Sequence, residues 1–288
     1  MRSKGLSAFA HIFYILACIC IIFPLIAVVM ISLSSEYDVV TYGYRLIPMH
    51  FTLDAYRAVF SESAGLVKSI LVTLFSAFTG STFIVLLSAS FGYVLSAPQF
   101  TYKKPLVIFF MIPMFFSGGL IPTYILITQY LHLGNNILVY ALTGIFSFSY
   151  VLLLKASFMQ VPHALIESAQ IDGAGQATIF FKIMIPMSAS MIAMVFCMSL
   201  LSRWNDFQTS LYYIDNPNLY TIQYLLQITL QTVNEANETN QLVAGYELQP
   251  AQTLQYAMAI IAALPVFVAF PFMQKYFSKG ITVGSVKG

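Results

Sequence analysis

Few side chains in this 288-residue chain could do chemistry, because only 8% of its residues are charged. The most informative grouping of acid, base, glycine and proline is ESAQIDGAGQATIFFKIMIP, residues 167–186. It places Glu167, Asp172 and Gly173 ahead of an apolar stripe that ends in Lys182 and Pro186. The chemistry such residues suit is recognition rather than bond-making. A polar helix, a glycine turn and a second helix, set between two long apolar runs, form a docking surface for a soluble partner. Residues for covalent or hydrolytic chemistry are not assembled anywhere. His11, His50, His132 and His163 are scattered, and there is no HExxH, GxSxG or Gly-rich phosphate loop. No Walker motif is present, so the chain does not bind ATP by that device. Cys18, Cys20 and Cys197 lie inside apolar runs and read as small buried hydrophobes, not as a disulfide or a metal site.

The elements that must position this island are set by composition. The chain is 59% hydrophobic with a mean hydropathy of +0.80. A water-soluble domain carries roughly 25% charged residues, so the main solvent of this chain is lipid. Spanning segments are then helices, which satisfy every backbone N–H and C=O internally. The long continuous apolar runs exclude the alternating pattern of a membrane barrel. A net charge of +2 gives no reason to expect nucleic acid as a partner.

A spanning helix takes about 20 apolar residues. Six stretches qualify: about 9–33, 67–95, 106–130, 137–158, 183–201 and 254–277. The first follows Arg2 and Lys4, but its run is longer than the core of a signal peptide, and it reads as an uncleaved span. With the N-terminus inside, nine of the 13 Lys and Arg residues fall on the inner side and nine of the 11 acidic residues on the outer side. The positive-inside rule therefore predicts both termini in the cytoplasm. Glu167 and Asp172 are the two acidic residues left inside. The outer segments 34–66 and 206–253 are rich in tyrosine and amides. Tyr212, Tyr213 and Tyr220 read either as interface tyrosines of a solvated loop or as a landing surface for an external protein or sugar.

Polar groups inside the spans carry the remaining signal. Ser69, Thr73 and Ser76 recur at helical spacing and share a face, which suits close helix packing or a hydrophilic path. Pro113, Ser117, Gly118, Gly119 and Pro122 predict that the third span is broken near its middle. Broken helices at mid-depth often mark translocation sites, so Ser117, Gly118 and Gly119 join Ser69, Thr73 and Ser76 as candidates for a path. No ionisable residue is expected deep in a span, which argues against a proton- or sodium-driven carrier and for energy from a partner.

These pieces together resemble an ABC importer permease of the carbohydrate type, similar to the second membrane subunit of maltose-type systems. The inner island resembles the family's EAA loop, E-A-A-x-x-D-G-A followed by I-x-x-P. Glu167, Ala169, Asp172, Gly173, Ala174, Ile183 and Pro186 match, and Ser168 replaces the first alanine. Val161 and Pro162 lead into Glu167 as in the family, Trp204–Asn205–Asp206 matches its WN-[DE], and QKYFSKGITVGSVKG resembles its ending. FFSGGLIPTY, residues 115–124, is most like the subgroup associated with complex oligosaccharides.

The resemblance implies an all-α, six-helix ABC type I importer permease fold, a single multi-pass domain over residues 1–288 in the bacterial cytoplasmic (inner) membrane. It implies a heterodimeric pathway with a second homologous permease, two ATP-binding subunits that hold ATP and Mg, and an extracellular or periplasmic solute-binding protein that delivers a sugar. The chain itself would bind no cofactor and would not be an enzyme. The loop at 161–182 would be the coupling helix, with Glu167, Ser168, Ala169, Asp172, Gly173, Ala174, Phe180, Ile183 and Pro186 meeting or serving the ATPase. Glu167 would favour the dipole at a helix N-terminus or pair with a basic residue of the partner. Ser168 would slightly loosen the packing of small residues. Tyr212, Tyr213 and Tyr220 would contact the binding protein. A permease for another solute, and a non-transporting scaffold or sensor, are the alternative readings.

Overall fold

The computed structural model describes residues 4–61, 64–240 and 251–285 and is built of helices. Its contacts cluster into two units. One comprises residues 1–67 and 225–265, the other 68–224 and 266–288.

In the first unit, α1 (Lys4–Ser32) is strongly apolar, and its most apolar stretch is not buried within the chain. Such a helix is stable only where lipid or another protein covers it. Two short helices follow, α2 (Glu36–Tyr42) and α3 (Asp54–Ser61), tied to the end of α1 by a bridge between Ser34 and Phe51 and by a 2.8 Å contact between the Ser32 and Tyr56 hydroxyls. Residues of α2 organise the unit through two carboxylate contacts, from the buried Asp38 and the half-buried Glu36. Asp38 accepts from the His50 backbone N–H at 3.2 Å and lies 3.0 Å from its Nδ1. Glu36 accepts from the backbone N–H groups of Gln252 and Thr253, both at 2.8 Å, and from the Thr253 hydroxyl at 2.7 Å. Those amides belong to the first turn of α15 (Ala251–Ser285), where helical donors have no internal partner. Glu36 thus caps from a distance, and its charge suits the positive end of the helix.

The second unit is built around α4 (Ala64–Ser96), one of the two unbroken helices among the described residues that are both long and apolar enough to cross a membrane. The third apolar stretch is broken as expected. Helix α5 (Lys103–Phe115) ends where Phe116 turns extended and Gly119 takes φ +89°. The chain resumes as α6 (Leu120–Ile125) with a π-helical turn to Tyr130, bent by 107° from α5. The fourth stretch, expected as one helix, is also interrupted. It forms α7 (Leu138–Leu142) and α8 (Phe148–Phe158), separated by a turn in which Gly144 sits at φ +60°.

After α8 come α9 (His163–Ile171), α10 (Gln176–Ile179), a π-helical turn Phe180–Met184, and α11 (Ile185–Met187). Pro186 lacks the N–H that would continue the ladder. The axis then bends by 80° into α12 (Ala189–Trp204). The outer segment 206–253, long enough to have structure of its own, is largely helical where described: α13 (Gln208–Tyr213), a 3-10 turn Pro217–Leu219, and α14 (Ile222–Asn240).

Three apolar clusters hold this unit together, centred on Leu154 and Phe180, on Val139 and Tyr140, and on Leu95 and Val151. Two glycines set the closest helix approaches. A Cβ on Gly92 would come within 3.1–3.3 Å of α8, and a Cβ on Gly80 within 2.5 Å of the Arg203 side chain.

Candidate functional site

Two places gather the residues that could carry function, and both lie in the second unit. The first is the inner island. Helix α9 ends in a Schellman motif: the Ala174 N–H donates to Ala169 O at 2.9 Å and the Gly173 N–H to Gln170 O at 3.0 Å. Asp172 is the C-cap, and Gly173 has φ +79° with open space where a Cβ would stand. The glycine is therefore required by backbone conformation rather than by crowding. Ile166 and Ala169, three residues apart on one face, pack with Ala174 against the cluster of Leu154, Phe158, Ile179 and Phe180. The opposite face is open, with Leu165 exposed and Ile171 86% exposed.

Several expectations are corrected here. Ser168 lies on the open face and donates to Leu165 O at 3.1 Å, so it loosens no packing. Glu167 is the fifth residue of α9, outside its first turn, and sits 3.6 Å from His163 Nδ1 rather than at the helix N-terminus. Phe180 is buried against Tyr93 and Phe158, Ile183 is half-buried, and Pro186 is exposed at the bend. Tyr93 donates to Gln176 Oε1 at 2.6 Å, which fastens α10 to the end of α4. The island is thus a small open platform backed by a packed core, and that core runs through the π turn into α12.

At the other end of α12 lies a polar cavity of ≈ 730 Å³, within the roughly 300–1,000 Å³ of ligand sites. Its walls are Ser117 and Gly119 at the break of the third stretch, Thr143 and Gly144 at the break of the fourth, and Ser199, Ser202, Arg203, Asn205 and Asp206 from α12 and the turn beyond. Tyr150 and Tyr212 supply aromatic faces. Arg203 is 7% exposed. Its Nη1 donates to Tyr140 O, and its Nη2 to Thr143 O at 2.7 Å. A cation thereby caps the C-terminus of α7, where carbonyls are unpaired and the dipole is negative. Beneath it runs a closed hydrogen-bond network. The Tyr140 hydroxyl donates to Leu219 O, Ser210 Oγ lies 2.7 Å from that hydroxyl and 3.0 Å from Thr221 Oγ1, and Thr221 donates to Asp206 O. Fully satisfied networks of this kind fix geometry.

Arg203 is the residue that sequence reasoning missed, because a charge beside the polar segment 206–253 reads as solvated. Its position directly before Trp204, at the end of an apolar run, is the signal available in the sequence.

Of the candidate path residues, Ser117 and Gly119 line this cavity and Gly118 is exposed beside them. Ser69, Thr73 and Ser76 do share a face, but it is packed inside the chain. All three are buried, Thr73 Oγ1 accepts from the Ile222 N–H at 2.9 Å, and none borders the cavity. The three tyrosines do not form one open surface. Tyr213 is buried and stacked on Tyr124, with ring centres 6.0 Å apart, and burial and the nearby Asp206 raise its pKa. Tyr212 is half-buried at the cavity wall, and Tyr220 donates to Asp215 O at 3.2 Å.

Comparison with known proteins settles the family. Over 273 residues, 94% of each chain, the protein is 35% identical to the polygalacturonan/rhamnogalacturonan transport system permease protein YtcP of Bacillus subtilis (strain 168). The chain belongs to the permease family of carbohydrate ABC transporters. The permease is also 30% identical over 290 residues to the maltodextrin transport system permease protein MdxG of the same organism, covering 96% of this chain and 95% of that one. A solved bacterial ABC transporter involved in the import of the acidic polysaccharide alginate has the same fold, with a TM-score of 0.84 at 22% identity over 96% of this permease and 99% of that chain. No protein-family model matches the chain.

Proposed function

We propose that this permease is one of two pathway-forming subunits of an ATP-driven, binding-protein-dependent oligosaccharide importer in the bacterial cytoplasmic membrane. On this reading the six apolar stretches are six spans with both termini inside. The broken stretches count as single spans folded around the polar cavity. ATP and Mg are held by two separate ATPase subunits, and a solute-binding protein delivers the sugar on the outer side. The related permeases serve transport of carbohydrate polymers and maltodextrins by their names, which supports a sugar as the cargo.

The observation that carries the reading is the construction of the inner platform. An exposed apolar face, Leu165 and Ile171 with Glu167 beside them, is backed by Ile166, Ala169 and Ala174 in a packed core. That core continues through Ile179, Phe180 and Met184 to Met191 and Val195 of α12, the helix that ends in the cavity. Force applied to α9 by a docked ATPase would move α12 because close-packed side chains transmit strain. The residues meeting the partner are then Glu167, Ile171 and Asp172, with Ala169, Gly173 and Ala174 shaping the platform and Phe180, Ile183 and Pro186 carrying its movement.

The test is Ile171→Asp in the purified importer. Ile171 is exposed, so the fold survives, while a carboxylate enters the apolar dock. The expected result is at least a tenfold loss of both co-purifying ATPase and sugar-stimulated ATP hydrolysis, with the two permeases still paired. Retention of both activities would overturn the docking role of the loop.

A further inference from the structure

We infer that the Arg203 cavity is a subsite for an anionic sugar unit, a uronate carboxylate held by the guanidinium. The inference rests on the importer reading above and adds to it which saccharides this chain selects. Related permeases act on both acidic and neutral carbohydrates by their names, so kinship leaves the charge of the cargo open and the cavity decides it.

Three observations point to the carboxylate. First, Arg203 is nine-tenths buried and borders the cavity, yet its hydrogen-bond partners are two neutral carbonyls. Two of its five N–H groups are engaged there, and no carboxylate reaches ion-pair distance among the described residues. Asp206, the acidic residue of the cavity wall, attracts Arg203 through space but forms no ion pair with it. Its oxygens accept from the Thr209 N–H at 3.0 Å and the Thr209 hydroxyl at 2.5 Å. A buried cation held by carbonyls without a direct ion pair remains costly, and a planar fork with free donors matches a carboxylate in two-pronged fashion.

Second, one helical turn before Arg203, Ser199 lines the same cavity, is 1% exposed, and its buried hydroxyl has no hydrogen-bond partner. Four other buried serines lack partners, but Ser199 is the one that faces this space. An orphan hydroxyl one turn from a cation that lacks an ion pair is what a sugar acid, with its ring hydroxyls and its carboxylate, would satisfy together.

Third, the remaining wall offers Ser117 and Asn205 to hydroxyls and the rings of Tyr150 and Tyr212 to a sugar face. Polar groups converging on an aromatic-lined hollow are the usual construction of a small-molecule site.

The deciding experiment titrates tritiated trigalacturonate, and its carboxyl-reduced neutral counterpart, onto the whole importer in lipid nanodiscs without binding protein. The acid is expected to bind saturably and at least tenfold more tightly. Arg203 also caps α7, so its own replacement could unfold the site. Ser202→Asp, on the exposed cavity wall, instead supplies a competing carboxylate, with Ser202→Asn as its isosteric control. S202D is expected to lower the acid-to-neutral affinity ratio at least tenfold and S202N to leave that ratio in place. Equal affinities for the two sugars, or an S202D ratio matching the unaltered importer, would show that Arg203 serves only as a clamp on α7. Binding of neither sugar, with uptake and ATP hydrolysis still driven by sugar-loaded binding protein, would remove the subsite and leave the importer standing. Absence of any sugar-driven ATP hydrolysis would remove the importer reading itself.

Discussion

The inner platform and the Arg203 cavity flank α12, whose 16 residues rise about 24 Å at 1.5 Å each, and they are stabilised in different ways. The platform is local. Its shape comes from a Schellman turn closed by two hydrogen bonds within six residues, and Gly173 meets nothing that a Cβ would strike. The cavity is non-local. Arg203 reaches back 60 and 63 residues for its carbonyls and lies over Gly80 of another helix. Local devices tolerate change because little else depends on them, whereas a charge buried across three helices leaves each of them with something to lose.

The sharpest break of this comparison is Gly80→Val. Its Cβ would overlap Arg203 Nε, Cζ and Cδ at 2.5–2.7 Å, pushing the guanidinium off both carbonyls. Overpacking costs about 1–3 kcal/mol, and each lost hydrogen bond to a charged group adds about 1.5–3. A loss of at least 3 kcal/mol is expected, read as a drop of several degrees in the Tm of the purified importer. Gly65→Val on the same helix, where nothing lies within 4 Å, is expected to stay within about 1 kcal/mol. Equal losses at the two glycines would mean that Arg203 is not held as described.

This contrast also marks what could be read from the sequence. The platform was legible because its signal is contiguous: Ala169, Gly173 and Ala174 encode their own turn. The break at Ser117–Gly119 was legible for the same reason. The interruption of the fourth stretch was not. Thr143 and Gly144 sit within an apolar run that reads as one helix, and the carbonyl freed there is satisfied by Arg203, 60 residues away. Ser69, Thr73 and Ser76 were correctly placed on one face, but periodicity does not say what that face meets. Only packing shows it closed, with Thr73 bonded to Ile222. Tyrosine-rich composition likewise suggested surface, whereas Tyr213 is buried by its stack on Tyr124.

A smaller effect tests the local side. Gly173→Ala forces a Cβ into a left-handed conformation, at a cost of about 1–2 kcal/mol, with no steric term because the space is open. Gly173→Asn, whose side chain tolerates that conformation, should lose less. If the two variants lost equally, something other than φ would be constraining the turn, and the platform would be less self-contained than its hydrogen bonds indicate.

The cavity's orphan hydroxyl gives an opposite sign. An unsatisfied buried hydroxyl costs about 1–3 kcal/mol, so Ser199→Ala should hold or raise the thermal stability of the importer by up to about 1 kcal/mol. A clear destabilisation would mean that Ser199 contributes to the fold through contacts other than hydrogen bonds, and would weaken its assignment to a ligand.

The smallest expected effect is at Ser168, where the inner loop departs from its family pattern. Its hydroxyl bonds back to Leu165 O at 3.1 Å on the exposed face of α9, a local contact that competes with the backbone and adds little. Ser168→Ala restores the family residue with a better helix former and should shift stability by less than about 0.5 kcal/mol. Because that face is the one assigned to the ATPase, the same variant reads the dock directly. A change in ATPase affinity without a change in Tm would place Ser168 in the contact, whereas loss of stability would show that the platform's open face is covered from within the chain.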